Sequence, residues 1–408
     1  MENTMKNTAQ GSVKVPNRFC VLAAGMTIQF CAGIIYMWSV FRGPVAAHLD
    51  WDVGSAALTS SVMLAMFVLG IIVGGYAQDR LGPRNVTLTG SIMIGGGMLC
   101  TALVTPAAPW LVYITYGILG GLGVGTVYTS TIAAVQKWFP DRRGFASGMI
   151  VSSFGFSLVV FAPLANTLLD DLGVRSTFMI FGIAFLLVCG GCSLFIRNPH
   201  VGYLPEGYVP PQTVATRRQY TPKEIIKTKQ FYLLAGGLVF TLPTYFILNP
   251  IFISLGAARG LSTELALLGV AITGISSAAG RLIVSWVSDR IGRKEAMVAI
   301  AVITLLAALV MIVGEGVLFL LCIMLISFSF GGAASVYSVM TAESFGTQYG
   351  GMNFGLVMLG FGVSSLVFPV ISNALTAGGS YTASFLLAAA TCAVAIILVS
   401  LMENPSKN

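Results

Sequence analysis

Gly75-Tyr76-Ala77-Gln78-Asp79-Arg80-Leu81-Gly82-Pro83-Arg84 and Ser285-Trp286-Val287-Ser288-Asp289-Arg290-Ile291-Gly292-Arg293-Lys294 carry the same message twice. A D-R-[LI]-G core recurs 210 residues later, each time just after a long apolar run. A weaker echo pairs Trp138-Phe139-Pro140-Asp141-Arg142-Arg143-Gly144 with Ser344-Phe345-Gly346-Thr347-Gln348-Tyr349-Gly350. A chain that repeats its loops at matching places between apolar runs is built from two parallel repeats. In membrane proteins such repeats place a binding site at their interface.

The apolar runs extend the pattern over the whole chain. Twelve of them fall near 19–41, 56–78, 86–105, 110–135, 145–168, 176–196, 231–254, 264–287, 295–314, 317–341, 353–376 and 381–402. A run of about 20 residues spans roughly 30 Å of hydrocarbon. Of the 408 residues, 56% are hydrophobic and 9% charged, against about 25% charged in soluble domains. The expected fold is therefore an all-α membrane protein with twelve transmembrane helices in two six-helix halves. The halves are residues 1–196 and 231–408, joined by a cytoplasmic linker, 197–230, rich in proline and basic residues. The first run follows a polar stretch and lacks a small-residue cleavage site, so it reads as a retained helix.

Basic residues set the orientation. With the N-terminus inside, 18 of the 22 Lys and Arg fall in cytoplasmic segments, and only Arg42, Arg175 and Arg259 fall outside. That bias fits the positive-inside rule for a multi-pass protein of the cytoplasmic (inner) membrane with both termini in the cytoplasm. The net charge of +7 is then a topology signal, and no clustered basic surface marks a nucleic-acid partner. The seven cysteines lie in apolar runs without metal-ligand spacing and read as small buried hydrophobes.

The remaining cation, Arg281, stands in the middle of an apolar run whose next charge toward the C-terminus is Asp289. A guanidinium at bilayer depth costs about 2.5–3.5 kcal/mol on insertion scales and normally faces a cavity or a partner. A fixed positive charge inside a bundle points to an anion as cargo.

The chain resembles the major facilitator superfamily, whose signature is the D-R-[LI]-G loop after the second span of each half. Within it, Gly33-Ile34-Ile35-Tyr36-Met37-Trp38-Ser39-Val40-Phe41, Gly123-Val124-Gly125-Thr126-Val127-Tyr128 and Trp138 to Gly148 look like the patterns of the oxalate/formate antiporter family. That family includes bacterial relatives of monocarboxylate transporters. The resemblance implies that Arg281 binds a substrate carboxylate, a role suited to a planar fork that makes two parallel hydrogen bonds. It implies Tyr128 as a hydroxyl donor to the same group. It also implies that Asp79, Arg80, Asp289 and Arg290 latch the cytoplasmic face, each acid pairing with basic groups across it.

Spacing adds candidates. Tyr128 lies nine residues before Lys137 and Arg281 eight before Asp289, so the two side chains reach similar depth in spans of the same direction. Gln29, Gly33 and Tyr36 share one face of span one, and Tyr337 in span ten lies somewhat nearer the cytoplasm than Arg281. Tyr36 and Trp38 also suit aromatic anchoring at the outer boundary. Tyr245 and Asn249, between Pro243 and Pro250, suit an outer gate. Gly117, Gly121 and Gly125 read as a packing stripe. Gly274, Ser277, Ala278 and Gly280 leave room for a ligand or a close helix.

One departure bears on substrate. Where oxalate exchangers of the family carry a second cation in span eleven, the alignment from Asn353-Phe354-Gly355 places Phe361. One charge and an aromatic wall favour a small monocarboxylate such as lactate, pyruvate or formate over a dianion. The expectation is a secondary carrier of monocarboxylates working by proton symport or anion exchange, with an oxalate:formate-type antiporter as the alternative. The other classes are a transport-inactive sensor, a channel and a membrane enzyme. The enzyme is disfavoured because His48 and His200 have no partnering pattern, and neither a cofactor nor a metal is implied.

Overall fold

The computed structural model describes residues 17–200, 202–209, 218–248, 255–256, 259–376 and 381–403. Helices occupy each of the twelve predicted crossings, and no strand occurs among the described residues. Asn249, Pro250, Lys6, Lys14, Arg217 and Lys407 lie outside them. Among the described residues, eight helical stretches are long and apolar enough to cross a membrane. The longest, Arg143–Ser193, holds spans five and six and turns between them at Gly173 (φ 73°, ψ 175°).

Local chemistry ends and starts these helices. Span two, Val53–Leu81, is capped by Asp52, whose carboxylate accepts from Ser55 N at 2.6 Å. It stops at Gly82 (φ 81°), and Pro83 opens span three, Pro83–Thr101. Span eight, Thr263–Ile291, stops in the same way at Gly292 (φ 104°) before span nine, Arg293–Val310. A left-handed turn of this kind admits glycine without penalty, which is why the repeated loop carries it at both places.

Several crossings are interrupted. Span one runs as Arg18–Ala32, tightens into a 3₁₀ turn over Gly33–Tyr36, and resumes as Trp38–His48. Span four begins with a π-helical stretch, Tyr113–Gly120, before Gly121–Trp138. Span seven breaks between Lys229–Thr241 and Pro243–Leu248, where proline removes a backbone donor. Span ten is Gly316–Phe345, span eleven is Gly350–Val357 and Leu359–Thr376, and span twelve is Thr382–Ser400.

Small residues let these helices approach closely, as expected where lipid removes the hydrophobic drive between helices. A Cβ on Gly121 would lie 2.4 Å from Met63 O, and one on Gly125 would lie 2.1 Å from Phe67 O, so the predicted stripe packs span four on span two. Gly280 and Gly331 do the same between spans eight and ten, each meeting a backbone oxygen at 1.9 Å. The small residues around Arg281 thus serve a close helix, except Gly274, which faces open space. Large apolar side chains such as Val73, Leu103, Leu187 and Val370 stand exposed on the outside of the bundle, the surface that hydrocarbon covers. Cys20 and Cys100 are exposed there too, so the reading of every cysteine as buried is corrected for these two.

Candidate functional site

Arg281 sits on span eight with 4% of its surface exposed. Its backbone is fixed from both sides. Ser335 Oγ of span ten donates to Arg281 O at 2.9 Å, and Gly148 of span five packs against the same carbonyl. The guanidinium extends over Gly155 of span five, where a Cβ would fall 1.5 Å from Nη1. Nη2 donates to the Tyr36 hydroxyl at 3.5 Å, and Nε has no hydrogen-bond partner among the described residues. None of the ion pairs formed by those residues involves Arg281. A buried cation without an acid is costly, and here it also leaves a donor without an acceptor among the described residues.

Tyr36 reaches Arg281 because span one breaks there. Gly33 lets the chain touch span five, since a Cβ would lie 2.3 Å from Ser157 Cβ, and the tight turn re-aims the next residues. Tyr36 is therefore turned into the bundle, contrary to the boundary-anchor expectation. Trp38 is also buried, and its indole donates to Ala56 O at 2.8 Å.

A chain of ring contacts starts at Tyr36, the hydrogen-bond partner of Arg281, and runs through both halves of the sequence. Phe154 of span five meets Tyr36 at 5.4 Å and Tyr128 at 5.2 Å between centroids. Phe67 of span two touches Tyr128 and Phe361. On the other side Phe361 meets Phe246, Phe246 meets Phe330, and Tyr245 stacks on Phe330 at 3.8 Å. Contacts thus link Arg281 to Tyr36, Tyr36 through Phe154 to Tyr128, and Tyr128 through Phe67 to Phe361.

Two predicted site residues lie elsewhere. Gln29 is buried against span four, its Nε2 donating to Tyr128 O at 3.1 Å and to Thr131 Oγ1 at 2.7 Å. It positions the Tyr128 backbone and does not reach the guanidinium. Tyr337 is fully buried with its hydroxyl 3.3 Å from Thr241 Oγ1 of span seven and close against Gly237. Sequence reading passed over Phe67, Phe154, Gly155 and Phe330, and gave Tyr245 to a gate. The small-residue stripe Gly144, Gly148, Ser152, Gly155 was the one signal for span five, since its spacing marks a face that another helix must approach.

A second arrangement lies at the end of the bundle that carries the repeated loops. Asp289 accepts from Gly144 N at 3.0 Å and Phe145 N at 2.8 Å, at the start of span five. Asp79 accepts from Gly351 N at 3.2 Å and Met352 N at 2.9 Å, at the start of span eleven. Each acid caps a helix from the opposite repeat, where orphan amides and the helix dipole favour negative charge. Across the cytoplasmic face these acids thus find backbone amides as well as the basic groups that the sequence suggests. The basic partner of Asp289 is Arg293 of its own segment, which also reaches Glu343 at 2.9 Å. Arg80 lies over the Tyr76 ring at 4.1 Å and Arg290 over the Trp286 ring at 4.0 Å, each on its own helix.

Comparison with known proteins agrees with this architecture. The family model described as Major Facilitator Superfamily matches residues 19–317 and 233–408. An Escherichia coli (strain K12) protein described as the uncharacterized MFS-type transporter YhjX is 30% identical over 359 residues, covering 86% of each chain. The oxalate:formate antiporter of Oxalobacter formigenes is 28% identical over 408 residues, covering 96% of this chain and 93% of its own. Monocarboxylate transporter 12 of Rattus norvegicus is 25% identical over 443 residues, covering 98% and 88%. In structure, the transporter FucP, solved in an outward conformation, superposes with a TM-score of 0.67 at 14% identity over 94% of this chain and 98% of its own.

Proposed function

Because this chain belongs to the Major Facilitator Superfamily, we propose that the region around Arg281 is its cargo site and that the cargo is a small monocarboxylate anion. The observation that carries this reading is the buried guanidinium with no acid paired to it, its fork on the Tyr36 hydroxyl at the head of a series of packed aromatic rings. The carboxylate takes the fork of Arg281 and the hydroxyls of Tyr36 and Tyr128, and a short apolar body lies against Phe361 and its neighbours. A second carboxylate would find no second cation, because Phe361 stands at that place in span eleven.

The carrier works by alternating access in the cytoplasmic membrane, with residues 1–196 and 231–408 rocking about the site and 197–230 tethering them. The positive-inside bias puts Asp79 and Asp289 on the cytoplasmic side. Their caps close that side here. Rocking moves an empty site through an occluded state with an unneutralised guanidinium, which is costly. Anion-for-anion exchange is therefore favoured over net uptake.

The test is uptake into proteoliposomes with a panel of small carboxylates as competitors. Lactate, pyruvate and formate should compete with a labelled monocarboxylate, and oxalate should compete poorly. Phe361→Lys should move the preference toward dicarboxylates. Tight competition by oxalate in the unmodified protein would overturn the monocarboxylate assignment and favour oxalate:formate-type exchange, the activity named for the Oxalobacter relative.

A further inference from the structure

Beside the Asp289 cap lies a cavity of about 380 Å³ lined by Arg142, Phe145, Trp286, Asp289 and Arg290. Two guanidinium groups face it from opposite repeats. Arg142 precedes span five, its side chain is 73% exposed, and its nearest acid, Asp141, is 3.9 Å away. Arg290 is held flat over Trp286 and takes part in no ion pair found among the described residues. The one carboxylate in the wall does not oppose an anion strongly. Asp289 is already engaged by two backbone amides and by Arg293, which it shares with Glu343.

The position of the cavity narrows the source of the anion. Ile283, Trp286 and Arg290 fall at i, i+3 and i+7 on one face of span eight. Ile283 and Trp286 are exposed on the outside of the bundle, so that face is the one hydrocarbon covers. Tryptophan and arginine at the end of such a face lie at headgroup level, and basic clusters there attract anionic lipids. The twin loop is an internal control. Before the amides that Asp79 caps stand Tyr349 and Gly350, in the place of Arg142 and Arg143.

We propose that this cavity binds the phosphate of an anionic membrane lipid, bridging Arg142 and Arg290. The bridge joins the two repeats only while the Asp289 cap is closed, so the lipid stabilises the capped conformation. The site separates when that end opens.

Purified full-length protein is titrated with phosphatidylglycerol, with phosphatidylcholine, and with inorganic phosphate, while the thermal midpoint and lipid retention in native mass spectra are followed. Phosphatidylglycerol should bind and raise the midpoint, and phosphatidylcholine should not. Arg142→Gln and Arg290→Gln should each weaken binding about tenfold, the loss of one charge-assisted contact. Arg80→Gln at the twin loop should leave retention as it was. The Arg142 side chain makes no hydrogen bond among the described residues and lies 3.9 Å from Asp141, so its variant carries the test if Arg290→Gln fails to fold. Equal retention of both lipids, or unchanged affinity in Arg142→Gln, overturns the proposal. Displacement of phosphatidylglycerol by comparable concentrations of inorganic phosphate overturns the lipid source in favour of a soluble phosphate.

Discussion

Arg281 and Gly155 behave as one unit. The guanidinium lies where any side chain on residue 155 would be, so Gly155→Ala should push the fork off its axis although it alters no charge. Uptake in that variant should fall by about tenfold or more, the size of one lost charged hydrogen bond. Its overpacking cost should be about 1–3 kcal/mol, which expression and thermal melting would register. Arg281→Ala should abolish carboxylate transport with near-normal membrane insertion, and Arg281→Lys should keep charge while losing the fork. Wild-type uptake by Arg281→Ala would remove the cargo role. Arg281 could be found from sequence because a lone charge among apolar residues has no neutral explanation. Tyr337 shows the limit. Counting from a helix end gives depth along the axis, whereas the direction a side chain takes around it depends on packing that no letter records. Phe154 and Phe330 were hidden for a related reason, since phenylalanine in an apolar run looks the same whether it faces cargo, helix or lipid.

At the scale of elements, the two caps were half legible. The repeated acids stood out, but their partners are backbone amides at the starts of spans five and eleven, and an amide has no letter of its own. Asp79→Asn and Asp289→Asn each keep one accepting oxygen and lose the charge. Every bond to a charged group is worth about 1.5–3 kcal/mol, so either change should shift the population away from the capped state. Spin labels on the exposed Arg84 and Ile291 would report this as a longer distance across that end. An unchanged distance distribution in the double variant would mean that helix packing alone holds the end closed. The breaks in spans one and four were likewise unread. Their helices carry the expected apolar residues, and only the approach of a neighbour at Gly33 explains why span one tightens where it does.

For the whole molecule, the fold followed from what repeats: twelve apolar runs, two matching loops and a polar stretch between them. The missing acid at Arg281 then governs how the protein should turn over. A bound monoanion cancels the buried charge during reorientation, so influx of labelled acid into vesicles loaded with unlabelled acid should exceed influx into empty vesicles. Equal rates, accelerated by an inward proton gradient, would reject exchange and favour proton symport.

The caps also bear on how such a sequence can drift over generations. Gly144 and Gly351 are pinned by the carbonyls of Ser285 and Gly75, against which a Cβ would fall 2.4 and 2.8 Å away. Phe145 and Met352 contribute to the caps only the N–H that every residue except proline possesses. A lineage can therefore rewrite those two positions without touching the closure. The burden of inheritance falls on the two aspartates and the two glycines, and proline is the one newcomer at 145 or 352 that the closure does not survive.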